Sequence, residues 1–293
     1  MSRAPEPNAA PDAVDATKEQ SILTEAARTA RSKEKEAGEA DDAILRTEKC
    51  TIRFGGLVAV NELDVAVRPG EIYGLIGPNG AGKTTIFNLL TGVYRPTSGA
   101  IYFQGQRVDG LRPYEISRRG VSRTFQNIRL FPSMSVLENV MTACHSHAKQ
   151  TLLDSVLRTP RFERDEREHR DFCLELLDIF GLALFSDEGG TSLPYGNQRR
   201  LEIVRALATR PRLLLLDEPA AGMNPSEQDD LLNLIHKIRD RFGLTILLVE
   251  HNMKVVMGVC ERIQVVDYGK SIALGLPHEI RNDPKVIEAY LGD

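Results

Sequence analysis

Apolar residues along this 293-residue chain follow two rhythms, and the change between them outlines a fold. From Ile44 to about Gly105, short β-rich runs alternate with turn residues: TIRF (51–54), LVAV (57–60), LDVAV (63–67), EIYGLI (71–76) and AIYFQ (100–104). An apolar helix, Ile86–Leu90, is set among them. Between 134 and 180 the spacing turns helical, in SVLENVMTA (135–143), QTLLDSVL (150–157) and REHRDFCLELLDIF (167–180), with a charged stretch from Arg161 to Arg170. After Gly196 the alternation returns. Leu201–Thr209 reads as a helix and Leu213–Leu216 as a fully apolar strand. Ser226–Phe242 places Leu231, Leu234, Ile235 and Ile238 on one helix face, with Pro225 suited to the first turn and Gly243 to the end. Strands Thr245–Val249, RIQVVD (262–267) and KSIAL (270–274) follow. A β–α core interrupted by a helical block predicts an α/β domain with a parallel sheet and its ligand at the carboxyl ends of the strands. Residues 1–42, rich in Ala, Glu, Lys and Pro, have no apolar stripe to bury and read as a disordered tail.

One junction in that pattern carries chemistry. The strand 71–76 runs into Gly77-Pro78-Asn79-Gly80-Ala81-Gly82-Lys83-Thr84, a full match to the phosphate-binding P-loop G-x-x-x-x-G-K-[ST]. Its glycines let the backbone turn tightly and approach phosphates without a Cβ in the way. Successive N–H groups and the start of the next helix attract the anion. Lys83 reaches the β- and γ-phosphates, the Thr84 hydroxyl ligates Mg²⁺, and Thr85 closes the segment. The ligand expected here is a nucleoside triphosphate.

Bulk properties narrow the class. A net charge of −4 argues against general nucleic-acid binding, so no nucleic acid is expected as partner. No run of about 18 apolar residues is present, and the N-terminus lacks the apolar core of a signal peptide, so a cytoplasmic protein is expected. Cys50, Cys144, Cys173 and Cys260 are scattered without a C-x-x-C pair and read as reduced thiols.

Leu213–Leu216 ends in Asp217 and Glu218. A strand beside the P-loop strand would put Asp217 near Thr84 and the metal, with Glu218 one residue on to orient or deprotonate water. Strand-end acids also cap helices, a reading that recedes once the P-loop is present. His251 follows the strand 245–249 and reads as a γ-phosphate sensor on the same crevice. Gln126, in Arg-Thr-Phe-Gln before the helical block, takes its meaning from position alone.

The order of P-loop, Gln126, LPYGNQRRLEIVRALA (193–208), LLLLDEP (213–219) and His251 resembles an ATP-binding cassette (ABC) ATPase, over about residues 44–293. The fold implied is a P-loop NTPase core with a mixed sheet, a β-rich N-terminal subdomain and an inserted helical subdomain at about 134–195. The segments FGGLVAVN (54–61), SRTFQNIRLF (122–131), LDEPAAGMNP (216–225), VEHNMKVVMGVCERIQVVDYG (249–269) and PKVIEAYLGD (284–293) resemble one branch, the ATP-binding subunits of bacterial branched-chain amino acid importers. About 270–293 is the C-terminal segment of that branch.

The resemblance implies ATP and Mg²⁺ as cofactors, a catalytic set of Glu218, His251 and Gln126, and metal contacts from Thr84, Gln126 and Asp217. Phe54 corresponds to the aromatic that stacks on adenine, worth roughly 1–3 kcal/mol, with Val60 beside it. Leu193, Pro194, Tyr195, Gly196 and Asn197 form the signature that contacts the nucleotide of an opposite subunit, and Gly222, Met223 and Asn224 form the D-loop. Implied partners are a second ATPase subunit (a heterodimer, with a homodimer as alternative), two transmembrane permeases and, indirectly, a periplasmic or extracellular solute-binding protein. Such a subunit sits peripherally on the cytoplasmic face of the inner membrane. Urea, amide or other amino acid importers, and soluble ABC ATPases, are the alternatives.

Three positions depart from the general pattern. Pro194 stands where the signature has Ser, removing a hydroxyl and an N–H. Asn197 replaces Gln and Asn224 replaces Asp. The ATP site completed by this signature is therefore expected to be the weaker one, and the site on this chain's own P-loop the competent one. Glu218→Gln should then reduce turnover more than the equivalent change in the partner cassette, and equal losses in the two would remove the asymmetry.

Overall fold

The computed structural model describes residues 42–144 and 160–291. The expected tail at 1–41 and the pattern QTLLDSVL (150–157) lie outside the described residues. Strands β1 (Leu45–Phe54), β2 (Leu57–Val67), β4 (Ser98–Phe103) and β5 (Gln106–Arg107) form an antiparallel sheet in the order β2-β1-β4-β5. The second sheet has the order β10-β9-β3-β8-β7-β6, from β3 (Ile72–Ile76), β6 (Val121–Arg123), β7 (Leu213–Asp217), β8 (Thr245–Val249), β9 (Arg262–Asp267) and β10 (Lys270–Gly275). Its pairs are parallel except β9 with β10, so the sheet is mixed as expected.

The apolar runs IYGLI, LLLLD and TILLV are buried at every position because both faces of the central sheet are covered. Leu214, Leu216, Ile246 and Leu248 face one core, with α3 (Val136–Cys144), α4 (Pro160–Ile179), α5 (Tyr195–Ala208) and α6 (Pro225–Phe242). Leu213, Leu215, Leu247 and Val249 face a second core, shared with the antiparallel sheet and α1 (Lys83–Leu90). Helix α2 (Pro113–Arg118) precedes β6, α7 (Met253–Val259) links β8 to β9, and α8 (Pro277–Asn282) and α9 (Pro284–Leu291) follow β10. Helix α6 follows its sequence signals, opening at Pro225 and ending at Gly243 with φ 61°, and Asn224 adds a reciprocal N-terminal cap with Glu227. All four cysteines are buried free thiols, and the Cys144 and Cys173 sulfurs meet at 3.2 Å between α3 and α4.

Two expectations change. LVAV and LDVAV are one continuous strand: Glu62 takes a left-handed φ of 48°, and its N–H bonds the Thr51 hydroxyl at 2.9 Å, so the ladder runs through the irregularity. The strand beside the P-loop strand is also not the one ending in Asp217. β8 lies between β3 and β7 and pairs in parallel with both; all three runs are buried throughout, so apolar content does not set their order.

The Ala59 carbonyl wedges between the P-loop and the β9–β10 turn. A Cβ would fall 2.7 Å from it at Gly82 and 2.5 Å from it at Gly269, both at positive φ. Gly55, at φ 59° with open space around it, isolates the backbone effect. Gly55→Ala should cost about 1–2 kcal/mol. Gly269→Ala should cost about 1–3 kcal/mol more, from the added clash. Denaturant midpoints of the two variants check the difference.

Candidate functional site

Parallel pairing carries β3, β8, β7 and β6 to a common edge. Leu75 is level with Val249, and Val249 with Asp217, so Asp217 stands two strand spacings, roughly 10 Å, from the P-loop strand. The loop after β6 leads to Gln126, the end of β7 to Asp217 and Glu218, the end of β8 to His251, and the end of β3 to residues 77–84.

Lys83 is the hub of the phosphate loop. Its Nζ donates to the carbonyls of Gly77 at 2.6 Å and Pro78 at 2.8 Å. Burial pushes the ammonium below its ordinary pKa, while Glu218 and Asp217 oppose that shift, which puts both carboxylates within electrostatic reach. Gly82 caps α1 in the left-handed region at φ 101°, Thr84 is exposed in the first turn, and Thr85 is half-buried. Asn79 and Gly80 are exposed at the tip, Ala81 is buried, and its carbonyl accepts the Gly269 N–H at 2.9 Å.

Glu218 gathers the predicted catalytic set. Its Oε2 accepts Gln126 Nε2 at 2.9 Å, and its Oε1 lies 3.5 Å from His251 Nδ1. Its backbone is left-handed, φ 48°, at a cost of roughly 1–2 kcal/mol for a residue with a Cβ. Such strain persists where the surroundings over-determine it. Here the Glu218 N–H bonds Val249 O at 2.8 Å, and its carbonyl accepts from Ala221 N–H and Arg199 Nη2, each at 3.1 Å. Asp217 is buried, and its Oδ2 accepts Arg123 Nη2 at 2.7 Å.

Not every predicted residue takes its expected place. Phe54 is 44% exposed and meets Tyr94 edge-on at 5.2 Å, a surface ring able to face a base. Val60 has no exposed surface and packs in the second core, so it presents no face to a base. The signature opens α5: Leu193 is buried and Pro194 is the N-cap. The Tyr195 ring closes on Gly222, 2.9 Å from where a Cβ would stand, and the Glu227 carboxylate sits over Gly196 in the same way. Asn197 is half-buried on the first turn. Signature and D-loop are thus packed together. Met223 is buried beneath them, and Asn224 is occupied as the cap of α6.

Three residues escaped the sequence reading. Glu250, 1% exposed, accepts the Ala220 N–H at 2.9 Å and the His251 N–H at 3.2 Å, bracing the turns after β7 and β8. Burial raises its carboxyl pKa, against those amides. An acid continuing an apolar run was its only signal. Arg123 gave none, and Arg199 only its i,i+3 spacing from Glu202, because Asp217 and the Phe125 and Glu218 carbonyls are distant in sequence.

Comparison with known proteins agrees with this geometry. Residues 60–221 match the family model described as ABC transporter. Residues 270–293 match the model described as branched-chain amino acid ATP-binding cassette transporter. The chain is 48% identical over 250 residues to the high-affinity branched-chain amino acid transport ATP-binding protein BraF of Pseudomonas aeruginosa, covering 85% of this chain and 98% of that one. The same identity and coverage hold for LivG of Escherichia coli, which bears the same description. Among solved structures, the ADP conformation of MJ1267, an ATP-binding cassette of an ABC transporter, superposes with a TM-score of 0.75 at 30% identity, covering 86% of this chain and 99% of that one. The fold is that of an ATP-binding cassette, and the chain has transport-coupled ATPase activity. The chain belongs to the ABC transporter family.

The Arg123–Asp217 pair makes a stability prediction. Arg123→Met should cost about 3–5 kcal/mol by leaving a buried carboxylate unpaired. Adding Asp217→Leu should restore part of that loss, as read by chemical denaturation.

Proposed function

We propose that this chain is an ATP-hydrolysing subunit of a branched-chain amino acid importer, with Glu218 activating the attacking water. The observation carrying the chemical part is the convergence of Gln126 and His251 on the two oxygens of Glu218. The solute class is supported by the descriptions of BraF and LivG and by the match of the C-terminal segment.

Hydrolysis of this kind is positioning and charge neutralisation. The loop amides and Lys83 hold the β- and γ-phosphates, and Phe54 carries the base. Glu218 takes the proton of the water it orients, Gln126 holds the carboxylate from one side, and His251 meets the γ-phosphate from the other. The donor set suits Mg²⁺: the exposed Thr84 hydroxyl, the Asp217 carboxylate and the Gln126 amide oxygen are hard oxygen ligands. When bound, the ion would neutralise phosphate charge.

Among the described residues no helix is long and apolar enough to cross a membrane, so transport would require permease partners. A groove of about 620 Å³ beside the Gln126 loop, lined by Phe125, Arg129, Phe131, Thr142 and Arg205, supports docking of a permease segment on the cytoplasmic side. A second cassette would complete each ATP site through Leu193–Asn197, and a solute-binding protein would deliver the cargo.

Glu218→Gln should bind ATP with unchanged affinity, accumulate closed dimers on size-exclusion chromatography and lose at least about 10²-fold in turnover. Parental turnover would refute the water-activating role. A tagged chain should copurify with two hydrophobic permeases, and its deletion should abolish uptake of labelled leucine. Uptake that survives would reassign the solute.

A further inference from the structure

Helix α5 does more than present the signature. Arg199, Glu202 and Arg205 form a stripe at intervals of three residues that faces the loop carrying Gln126. Arg199 is 1% exposed, and its guanidinium meets three acceptors: Nη1 donates to Phe125 O at 2.6 Å and to Glu202 Oε2 at 2.9 Å, and Nη2 donates to Glu218 O at 3.1 Å. Arg205 Nη1 donates to Arg129 O at the far end of the same loop. One helix face therefore grips the backbone on both sides of Gln126 and the carbonyl of Glu218.

Stability alone does not account for this cluster. A buried Arg–Glu pair gains little over an apolar pair filling the same space, since desolvation offsets the attraction. What an apolar pair cannot do is hold two carbonyls on separate loops. A lysine cannot either, because its single ammonium lacks the planar fork that spans them. The carbonyls held are those of the residue before Gln126 and of Glu218 itself, the one at φ 48°.

We propose that Arg199, supported by Glu202, is a positioning residue for ATP hydrolysis: it holds Glu218 in its left-handed conformation and ties the Gln126 loop to the helix opened by the signature. A displacement of the signature helix then moves the groups that bear on the water together. The proposal rests on the roles given above to Glu218 and Gln126.

The test uses the full-length tagged chain purified with the subunits it carries. Its variants are Arg199→Lys, which keeps the charge opposite Glu202, and the double variant Arg199→Met/Glu202→Leu, which removes the buried ion pair as a unit. In both, ATP affinity measured with a fluorescent analogue and KM should stay within about twofold, while kcat falls at least about tenfold. Thermal midpoints report folding. If either folded variant keeps kcat within about twofold of the parent, or loses ATP affinity in step with kcat, the positioning role is overturned. Failure of both to fold would assign the cluster to stability and overturn it equally. Glu218→Gln is the reference. If it hydrolyses at the parental rate, the Glu218 assignment falls. If it is inactive while Arg199→Lys works normally, only the Arg199 role falls.

Discussion

The parallel hydrogen-bond ladder across β3, β8, β7 and β6 is the constraint on which the site depends. It brings Leu75, Val249 and Asp217 level, so the loops that leave the strands begin at one height. A one-residue slip of any strand would reverse its buried and facing side chains and move its terminal residue out of the crevice. Register is secured because both faces are occupied: Leu214 and Leu215 enter different cores, as do Leu247 and Leu248. The two cores that stabilise the domain thus also set the spacing of the nucleotide-site residues.

Within that frame the site concentrates its unfavourable features at Glu218. A left-handed non-glycine residue, a half-buried carboxylate and a neighbouring buried Asp217 each cost stability. The compensations come from different elements: Val249 of β8, Arg199 of α5, Gln126 after β6 and Arg123 at the end of β6. Glu250 adds a brace between the turns that follow β7 and β8. Because these supports belong to separate elements, the geometry of Glu218 reports on the relative placement of the central sheet and α5.

Much of this was legible in the chain. The apolar runs at 72–76, 213–216 and 245–249 announced a doubly covered sheet, and the signals at Pro225 and Gly243 placed α6 to within a residue. Gln126, Glu218 and His251 were named by motif order, and the structure brings their side chains together. Strand order was not legible, since an all-apolar run carries no label for its neighbour, and Asp217 was expected one strand too close. Local patterning also divided β2 at Glu62, where a side-chain hydroxyl from another strand keeps the ladder intact. Val60 was expected at the base from the family resemblance, yet its side chain is turned into the core. Arg123, Arg199 and Glu250 each act in part through partners that only the folded chain brings near: Asp217, the Phe125 and Glu218 carbonyls, and the Ala220 amide.

The Ala59 carbonyl, lodged between Gly82 and Gly269, gives the site a fixed length. β2 carries this carbonyl and pairs with β1, whose last residue is Phe54, while Gly82 begins the helix that ends the phosphate loop. Contact between them sets a calliper with an aromatic ring at one jaw and a cradle of amides at the other. With Phe54 carrying the base as proposed, a ligand would be gauged by the distance from its ring to its phosphates before any hydrogen bond read the ring's edge.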